Sequence, residues 1–516
     1  MSEIINSSLK TAVKSTTLVF LGQTANIILW FILKLTIVRN TNKEEFGIFS
    51  LCVAVANIFA LVAGLGLQES ISRHISVLYG EGKKEEAILI SRESLNISII
   101  SSLLFSALLF ISAGMISRYM FYKPELEIPL KLVSFFIPFS VMSNIITAVF
   151  RGHNIMKPKI YLEIGHPFLF LLFLCVFFML HFQFVSIIYA YIFSMAMVAA
   201  LMGYYGIKKI GLTPFLLPGL AEIKDLLKFS APLLIASLLG MALLWIDTLM
   251  LGRYTTAEDV GAYNISTSLA KLLIFPSGVI AFVFMPIAGE MYARKQHVEL
   301  KRTYQVLTKW IFSCTFPVFF ILFFFPEMTI TFLFGERFID AAIPLRILSL
   351  GFLLDVFLGV NGILLVVMGM SRKIMQMSVL GIILNIGLNY ILIKKLGYGI
   401  IGAAIATTVS YSTLNIVCSV VVFMRSGIHP ITSKYTKPIA ASVIIALIIY
   451  AVAKSLPLYL WMIPIYFILF TCGYFVSMLM AGGFDREDIF MFDMISQKTG
   501  FDLRFLRKII LAFSRD

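Results

Sequence analysis

The chain has very little charge for its size. Of its 516 residues only 14% are charged, whereas 59% are hydrophobic and the mean hydropathy is +0.93. A water-soluble domain carries about 25% charged residues, so this chain has too little polar surface to be dissolved in water. The composition therefore predicts a multi-pass membrane protein.

Acidic residues are especially few. The 28 Asp and Glu face 42 Lys and Arg, which gives a formal net charge of +14. Such an excess would also suit a nucleic-acid partner, but the basic residues gather in alternate loops between apolar runs. Cytoplasmic loops retain positive charge, so this pattern predicts a cell-membrane protein with both termini inside and no nucleic-acid partner.

Several motifs that would mark an enzyme or a cofactor site are missing. The five cysteines form no CxxC pair, and the six histidines show no metal-ligand spacing. The sequence contains no GxxxxGK[ST] phosphate-binding loop, and this excludes direct ATP hydrolysis at the level of sequence motifs. No A-x-A-like cleavage site follows the N-terminal stretch, so the first apolar run is expected to be a retained helix. We expect no cofactor and no metal.

Apolar runs of about 20 residues, the length that spans a bilayer, recur along the chain. We expect about fourteen transmembrane helices. The predicted spans are 16–38, 46–67, 95–116, 130–150, 161–181, 184–207, 229–252, 263–289, 306–326, 345–368, 374–393, 399–424, 438–455 and 458–480.

Two stretches repeat at an offset of about 214 residues. RNTNKEEFGIF (39–49) aligns with RYTTAEDVGAY (253–263), and IPLKL (128–132) aligns with IPLRI (343–347). Helices 1–6 and 7–12 are therefore predicted to be parallel repeats, which is an architecture of transporters. The expected domains are a six-helix lobe over 1–210, a second over 211–430, helices 13–14 over 431–480, and a cytoplasmic amphipathic tail over 481–516.

The segment NIGLNYILIKKLGYGIIGAAIATTVS (385–410) reads as a helix end, a tight outer turn and a helix start. Its small residues allow helix backbones to approach closely. Asn385 and Asn389 lie four residues apart on one helical face, where they are expected to hydrogen-bond to neighbouring helices rather than to bind a ligand.

This segment also resembles polysaccharide biosynthesis and export proteins of the multidrug/oligosaccharidyl-lipid/polysaccharide (MOP) flippase superfamily. GLGLQESISRHISVLYGEGKKEEA (64–87) and FRGHNIMKPKIYLEI (150–164) resemble inner loops of the same family. The resemblance implies an all-α fold of two pseudosymmetric lobes around a central cavity. It also implies a flippase that moves a polyprenyl-phosphate-linked oligosaccharide from the inner to the outer leaflet by alternating access.

Ionisable residues inside membrane helices are the first functional candidates, because a charge there is costly. Lys271 is expected about 12 Å deep in helix 8, where it contacts phosphate or sugar or forms a buried ion pair. Lys34, near the outer end of helix 1, lines the cavity or snorkels to the surface. Asp247 and Asp355 are counter-ions or coupling groups. Asn57 aligns with Lys271 at the repeat offset.

A second group of basic residues lies at the expected inner ends of helices 2 and 4. Arg73, His74 and Arg151 could receive the phosphate group at the inner leaflet, or could simply anchor the helices by the positive-inside rule. Four other polar residues near inner ends are expected to be interfacial or capping residues: Glu69, Glu163, His166 and Glu290.

The expected partners are a polyprenyl-linked oligosaccharide and membrane lipids, with polysaccharide-assembly machinery as a further candidate. Two pseudosymmetric lobes would make a monomer sufficient. One alternative is a multidrug and toxic compound extrusion antiporter, which needs acidic groups for organic cations. Another is a polytopic glycosyltransferase or polymerase, but the expected outer loops are short and offer only Glu125 and Glu127.

Overall fold

The structure is a computed structural model that describes residues 22, 24–155, 157–180, 184–213, 220–455, 459–480 and 483. Every regular element within these ranges is a helix. The predicted amphipathic tail, apart from Gly483, and the first part of the helix predicted over 16–38 lie outside the described residues.

The described helices fall into two compact units, Met1–Gly261 and Ala262–Asp516. The first unit contains α1 (24–40), α2 (Lys43–Ala63), α3 (Leu67–Gly80), α4 (Lys84–Met115), α5 (Glu127–Val133), α6 (Phe136–Gly152), α7 (Lys157–Met179), α8 (Val185–Ile210), α9 (Leu220–Tyr254) and the start of α10 (Ala257–Ala270).

The second unit contains the rest of α10 and nine further α-helices. These are α11 (Phe275–Ala293), α12 (His297–Phe324), α13 (Pro326–Phe334), α14 (Ala342–Phe357), α15 (Asn361–Val367), α16 (Ser371–Asn389), α17 (Gly399–Ser426), α18 (Ser433–Lys454) and α19 (Ile463–Met480).

Many of these helices are long and apolar enough to cross a membrane. The described residues hold ten such helices, or up to twelve if each of two bent helix pairs is one span. A shorter apolar helix covers Ile439–Lys454, and α1 overlaps the first predicted span over residues 24–38. The all-helical membrane fold is thus confirmed, while the count of fourteen and the inside location of both termini stay predictions.

The repeated motif forms the same local structure in both places. Asn42 precedes α2 and makes a capping box with Glu45, whose carboxylate accepts from the Asn42 N–H at 2.8 Å. Thr256 precedes α10 and makes the equivalent pair with Asp259, at 3.2 and 3.3 Å. The repeat is therefore explained by a shared helix start, in which each acid satisfies a free backbone N–H.

The glycines that follow these caps meet each other. A Cβ on Gly47 would collide with the Ala257 carbonyl, and one on Gly261 would lie 2.6 Å from the Lys43 carbonyl oxygen. Lys43 and Ala257 are themselves equivalent positions of the repeat. The two helix starts thus cross in a reciprocal contact that only residues without a side chain permit.

Helix α9 packs along α2 and α3, and the compact division accordingly falls after Gly261 rather than near residue 210. The predicted division into 1–210 and 211–430 rests on the repeat, not on compactness, and stays a prediction. In the first part of α9, the helix also approaches the start of α3 closely: a Cβ on Gly66, whose φ is +70°, would lie 2.5 Å from the Ser230 carbonyl oxygen.

The turn after Asn389 is as tight as the sequence suggests. The chain leaves α16 through a π-helical turn, Tyr390–Lys395, and passes Gly397 and Gly399 at φ of +69° and +50° before α17 begins. Asn389 Nδ2 donates to Asn385 Oδ1 at 3.0 Å, and Asn385 Nδ2 donates to Thr407 Oγ1 of α17 at 3.4 Å. The predicted hydrogen bond between helices is confirmed.

Candidate functional site

A cavity of about 210 Å³ opens between α3 and α9 in the first compact unit. It is lined by Ser70, Arg73, His74, Val77 and Phe229. The close approach at Gly66 and a 2.5 Å hydrogen bond between the Ser70 and Ser230 hydroxyls fix the two helices beside it.

Two of the predicted phosphate contacts face this cavity. Arg73 and His74 are exposed, and the Arg73 guanidinium lies 5.0 Å from the centre of the Phe229 ring. Neither side chain forms an ion pair or a hydrogen bond with the residues that the structure describes. The cavity therefore offers positive charge and an aromatic face, a combination that suits an anionic group next to an apolar or sugar moiety.

Arg151, the third predicted phosphate contact of this group, is held differently. Its Nη2 donates to Glu69 Oε2 at 3.0 Å and to the Gln68 carbonyl at 3.1 Å, and its Nε donates to Ser72 Oγ at 3.0 Å. The guanidinium thus ties the end of α6 to α3, and Glu69 serves as its ion-pair partner. Arg151 positions α3 and hence Arg73 and His74 on it.

Lys271 lies further along its helix than the sequence suggests. Helix α10 begins at Ala257 rather than near residue 263, so Lys271 comes fourteen residues later, about 21 Å along a helix. It opens a short 3₁₀ turn, Lys271–Ile274, that precedes Pro276 in α11, and its side chain is half-buried. A cation at a helix break in mid-span is the arrangement expected of a functional group.

Lys34 and Asn57 lie in the first unit. Lys34 is half-buried on α1, with its Nζ 6.0 Å from the centre of the Phe46 ring. Asn57 donates from Nδ2 to the Val53 carbonyl of its own helix at 2.7 Å. The structure brings neither residue to the cavity beside Arg73. Their roles as substrate contacts stay predictions.

The two predicted acids differ in their surroundings. Asp247, on α9, is buried with 8% of its surface exposed. Asp355, near the end of α14, is half-buried and has no hydrogen-bond or ion-pair partner in the described part of the chain. Their roles as counter-ions or coupling groups stay predictions.

Sequence reasoning missed two interlocking cations near the expected outer ends. Lys123 is buried, and its Nζ donates at 2.6 Å to both the Gly252 and Thr255 carbonyls at the end of α9. Arg253 in turn donates to the Tyr119 and Met120 carbonyls after α4, and its guanidinium lies 4.1 Å from the Tyr122 ring centre. Each cation caps the end of the other's helix. The sequence signal for Lys123 was only its position just outside an apolar run, whereas Arg253 also begins the second copy of the repeated motif.

One expectation is wrong. His166 is not an interfacial or capping residue, because α7 starts at Lys157 and places His166 in its tenth position, with 8% of its surface exposed. Phe170 is one turn further on, and aromatic rings from other helices surround the imidazole. The error arose from a helix start predicted too close to His166.

The cysteines and other candidate ligands offer no metal chemistry among the described residues. All five cysteines are free, and no cluster of three His, Cys, Asp or Glu side chains could hold a metal ion there. Glu290 forms a surface ion pair with Arg294 at 2.8 Å.

Comparison with known proteins gives the same family as the motifs. The profile of the family described as "Polysaccharide biosynthesis protein" matches residues 12–292, and the MatE profile matches residues 232–391. The chain is similar to a probable low-salt glycan biosynthesis flippase, Agl15, of Haloferax volcanii, with 23% identity over 72% of this chain and 75% of that protein.

Solved structures share the fold. The lipid II flippase MurJ, in an inward closed conformation, superposes with a TM-score of 0.70 and 15% identity, covering 94% of this chain and all of MurJ. An inward-facing MATE family transporter of the MOP superfamily superposes with a TM-score of 0.65 and 19% identity, covering 78% of this chain and 94% of that transporter. The chain belongs to the polysaccharide biosynthesis protein family, and it is a multi-pass membrane transporter of the MOP superfamily rather than an enzyme.

Proposed function

We propose that this protein flips a lipid-linked oligosaccharide, carried on a polyprenyl phosphate or pyrophosphate, from the inner to the outer leaflet of the cell membrane. The flipped glycan then serves cell-surface polysaccharide or glycan assembly. The observation that carries the proposal is the cavity beside Arg73 and His74, whose described lining presents these two basic side chains and an aromatic ring and includes no carboxylate. The glycan-flippase relative supports the same substrate class.

In this proposal the phosphate first meets Arg73 and His74 at the cytoplasmic mouth, where Arg151 holds α3 in place. Lys34 on α1 and Lys271 after α10 are the cations that receive it next as access alternates. Each cation replaces part of the hydration that the phosphate loses, which lowers the cost of moving it through hydrocarbon.

Binding of a polyprenyl-pyrophosphate oligosaccharide to the purified full-length protein, followed by native mass spectrometry, tests the proposal. We expect Arg73→Ala and Lys271→Ala each to weaken binding about tenfold, the loss of one charge-assisted contact worth about 1.5 kcal/mol. Lys84→Ala is the matched control, because Lys84 begins the next helix and is not among the cavity-lining residues. Binding that neither Arg73→Ala nor Lys271→Ala weakens would remove these cations from the path.

A cation antiporter is the second candidate. The half-buried Asp355 without a pairing partner in the described part of the chain and the MatE match over 232–391 favour it. The same native mass spectra decide between the flippase and the antiporter. An antiporter would bind organic cations such as ethidium, would no longer bind them in Asp355→Asn, and would not bind the glycolipid.

A further inference from the structure

Two cations join the end of α9 to the segment that follows α4, near the expected outer side of the membrane. Lys123 donates from Nζ at 2.6 Å to the carbonyls of Gly252 and Thr255, at and just after the end of α9. Arg253 donates in the opposite direction, to two carbonyls of the π-helical turn after α4 (Ile116–Met120). We call the pair Lys123 and Arg253, with these contacts, the cation interlock.

A strained tyrosine belongs to the cation interlock. Tyr122 has a φ of +56°, whereas the equivalent position after the other π-helical turn is Gly397, with a φ of +69°. In both turns the next residue donates its N–H to a carbonyl six positions earlier. A side chain is disfavoured in this region, yet the Arg253 guanidinium lies 4.1 Å from the Tyr122 ring centre and 3.0 Å from its hydroxyl. Strain of this kind is typical of clamps and switch regions.

The charge of the cation interlock suits a contact that opens. Lys123 is buried, with 7% of its surface exposed. A wholly apolar contact of the same size would hold the helices at least as well, because desolvation offsets much of what a buried cation gains from its hydrogen bonds. When charged groups and carbonyls separate, however, water hydrates both sides. An apolar contact would instead leave a hydrophobic surface in water.

The surfaces beside the cation interlock are backbone-to-side-chain or backbone-to-backbone contacts at glycines. A Cβ on Gly252 would collide with Leu51 Cδ2 of α2. One turn earlier on α2, Gly47 lies against the Ala257 carbonyl. Glycines allow such close approach without interdigitating side chains. These surfaces can therefore part and meet again without a change of rotamer on the glycine side.

We propose that the cation interlock is a latch that closes the expected outer side of the transporter. Lys123 and Arg253 leave the carbonyls they bind each time that side opens, and water takes their place. The cavity beside Arg73 and His74 lies towards the other end of α9, so the structure combines a closed interlock with an open cavity at the expected inner side. The inference rests on the chain being a transporter and not on the identity of its substrate.

Cysteine labelling of the full-length protein in intact cells tests the latch without a substrate. Leu51→Cys places a thiol against Gly252, at a position that is fully buried while the interlock is closed. A membrane-impermeant maleimide added outside reaches this thiol only when the outer side opens. We expect Lys123→Met to speed the labelling about 30-fold, because one charge-assisted contact of the closed state is lost.

Two controls accompany the labelling. Lys131→Met is the matched variant, since Lys131 lies on the nearby helix α5 and pairs with Glu127 of its own helix instead of with α9. It should leave the labelling rate of Leu51→Cys unchanged. The protein without the added cysteine gives the background from its five native cysteines.

A crosslink distinguishes a latch from a contact that merely stabilises the fold. Lys123→Cys and Thr255→Cys, joined by a reversible bis-methanethiosulfonate linker in place of the lysine side chain, hold the interlock closed. In proteoliposomes we expect the crosslinked protein to bind a fluorescent polyprenyl-pyrophosphate sugar but not to flip it, and dithiothreitol to restore flipping. The single variant Lys123→Cys treated with the same linker is the control. A contact that stays closed throughout transport could be crosslinked with no effect on flipping.

The outcomes separate the latch from the proposed function. Equal labelling of Leu51→Cys with and without Lys123→Met, or flipping that survives the crosslink, overturns the latch. Labelling only by reagent that enters from the inner side overturns its assignment to the outer side. If the probe neither binds to nor is flipped by the uncrosslinked protein, the proposed function fails, while the labelling still decides whether the interlock opens. Arg253→Met carries the labelling test if Lys123→Met does not fold, because it breaks the same interlock from α9.

Discussion

The reciprocal glycine contact between the starts of α2 and α10 makes a sharp prediction for Gly47→Ala. The added Cβ would collide with the Ala257 carbonyl, which is backbone and cannot rotate away. The helices must therefore separate at this point. Overpacking of this kind costs about 1–3 kcal/mol, and we expect the upper end, about 3 kcal/mol, because the neighbour is backbone.

Hydrogen exchange followed by mass spectrometry measures this cost locally. A loss of about 3 kcal/mol corresponds to exchange on the order of 100-fold faster in peptides from the first turns of α2 and α10. The control is Gly387→Ala, since a Cβ on Gly387 meets no atom within 4 Å and alanine is the better helix former. Unchanged exchange in Gly47→Ala would show that the two helix starts do not pack this closely.

Three further predictions concern charged and titratable groups near helix ends. Burial lowers the pKa of Lys123 below its usual 10.5, so the unfolded chain binds more protons than the folded chain at pH values just below 10.5. In thermal unfolding, the stability of the wild type relative to Lys123→Met should therefore rise with pH in that range. Lys123→Met should also expose the Gly252 carbonyl and speed local exchange about 30-fold, a loss of about 2 kcal/mol. Burial likewise lowers the pKa of His153 below 6.5, so the wild type should lose stability as the pH falls below 6.5. His153→Gln should make stability depend less on pH in this range, and an equal pH dependence in both proteins would contradict the burial of His153. A double-mutant cycle on Arg151→Ala and Glu69→Gln should give a coupling below about 1 kcal/mol, because the pair is partly exposed; a larger value would mean that the pair is more shielded than its exposure suggests.

The sequence predicted the features that depend on neighbouring residues. The repeated Arg-Thr-acid-Gly pattern, from which a duplication was predicted, lies at two capped helix starts, because a capping box needs only an acid three residues after its cap. The long apolar runs predicted the membrane helices, and the Asn385–Asn389 spacing predicted a polar contact between helices. Each of these signals is local, so it survives without knowledge of the fold.

What the sequence did not show are the partners that folding brings from far along the chain. Lys123 and Gly252 are 129 residues apart, and nothing near either residue marks the other. His166 resembled a boundary residue because it follows a charged loop, and only the rings from α1, α6 and α8 show that it is buried. Arg73 and Arg151 looked alike in sequence, yet only Arg151 has a carboxylate partner among the described residues.

The crossing of the two helix starts also bears on the origin of the chain. Gly47 lies against Ala257. The equivalent positions of the repeat, Gly261 and Lys43, lie against each other in the same way. This is the pattern of an isologous interface, in which the same surface of two identical subunits meets across a two-fold axis. An ancestor with a single half could therefore have assembled as a homodimer through this glycine. Fusion of the two genes would then have freed each copy to change, which allows Asn57 in one half to stand where Lys271 stands in the other.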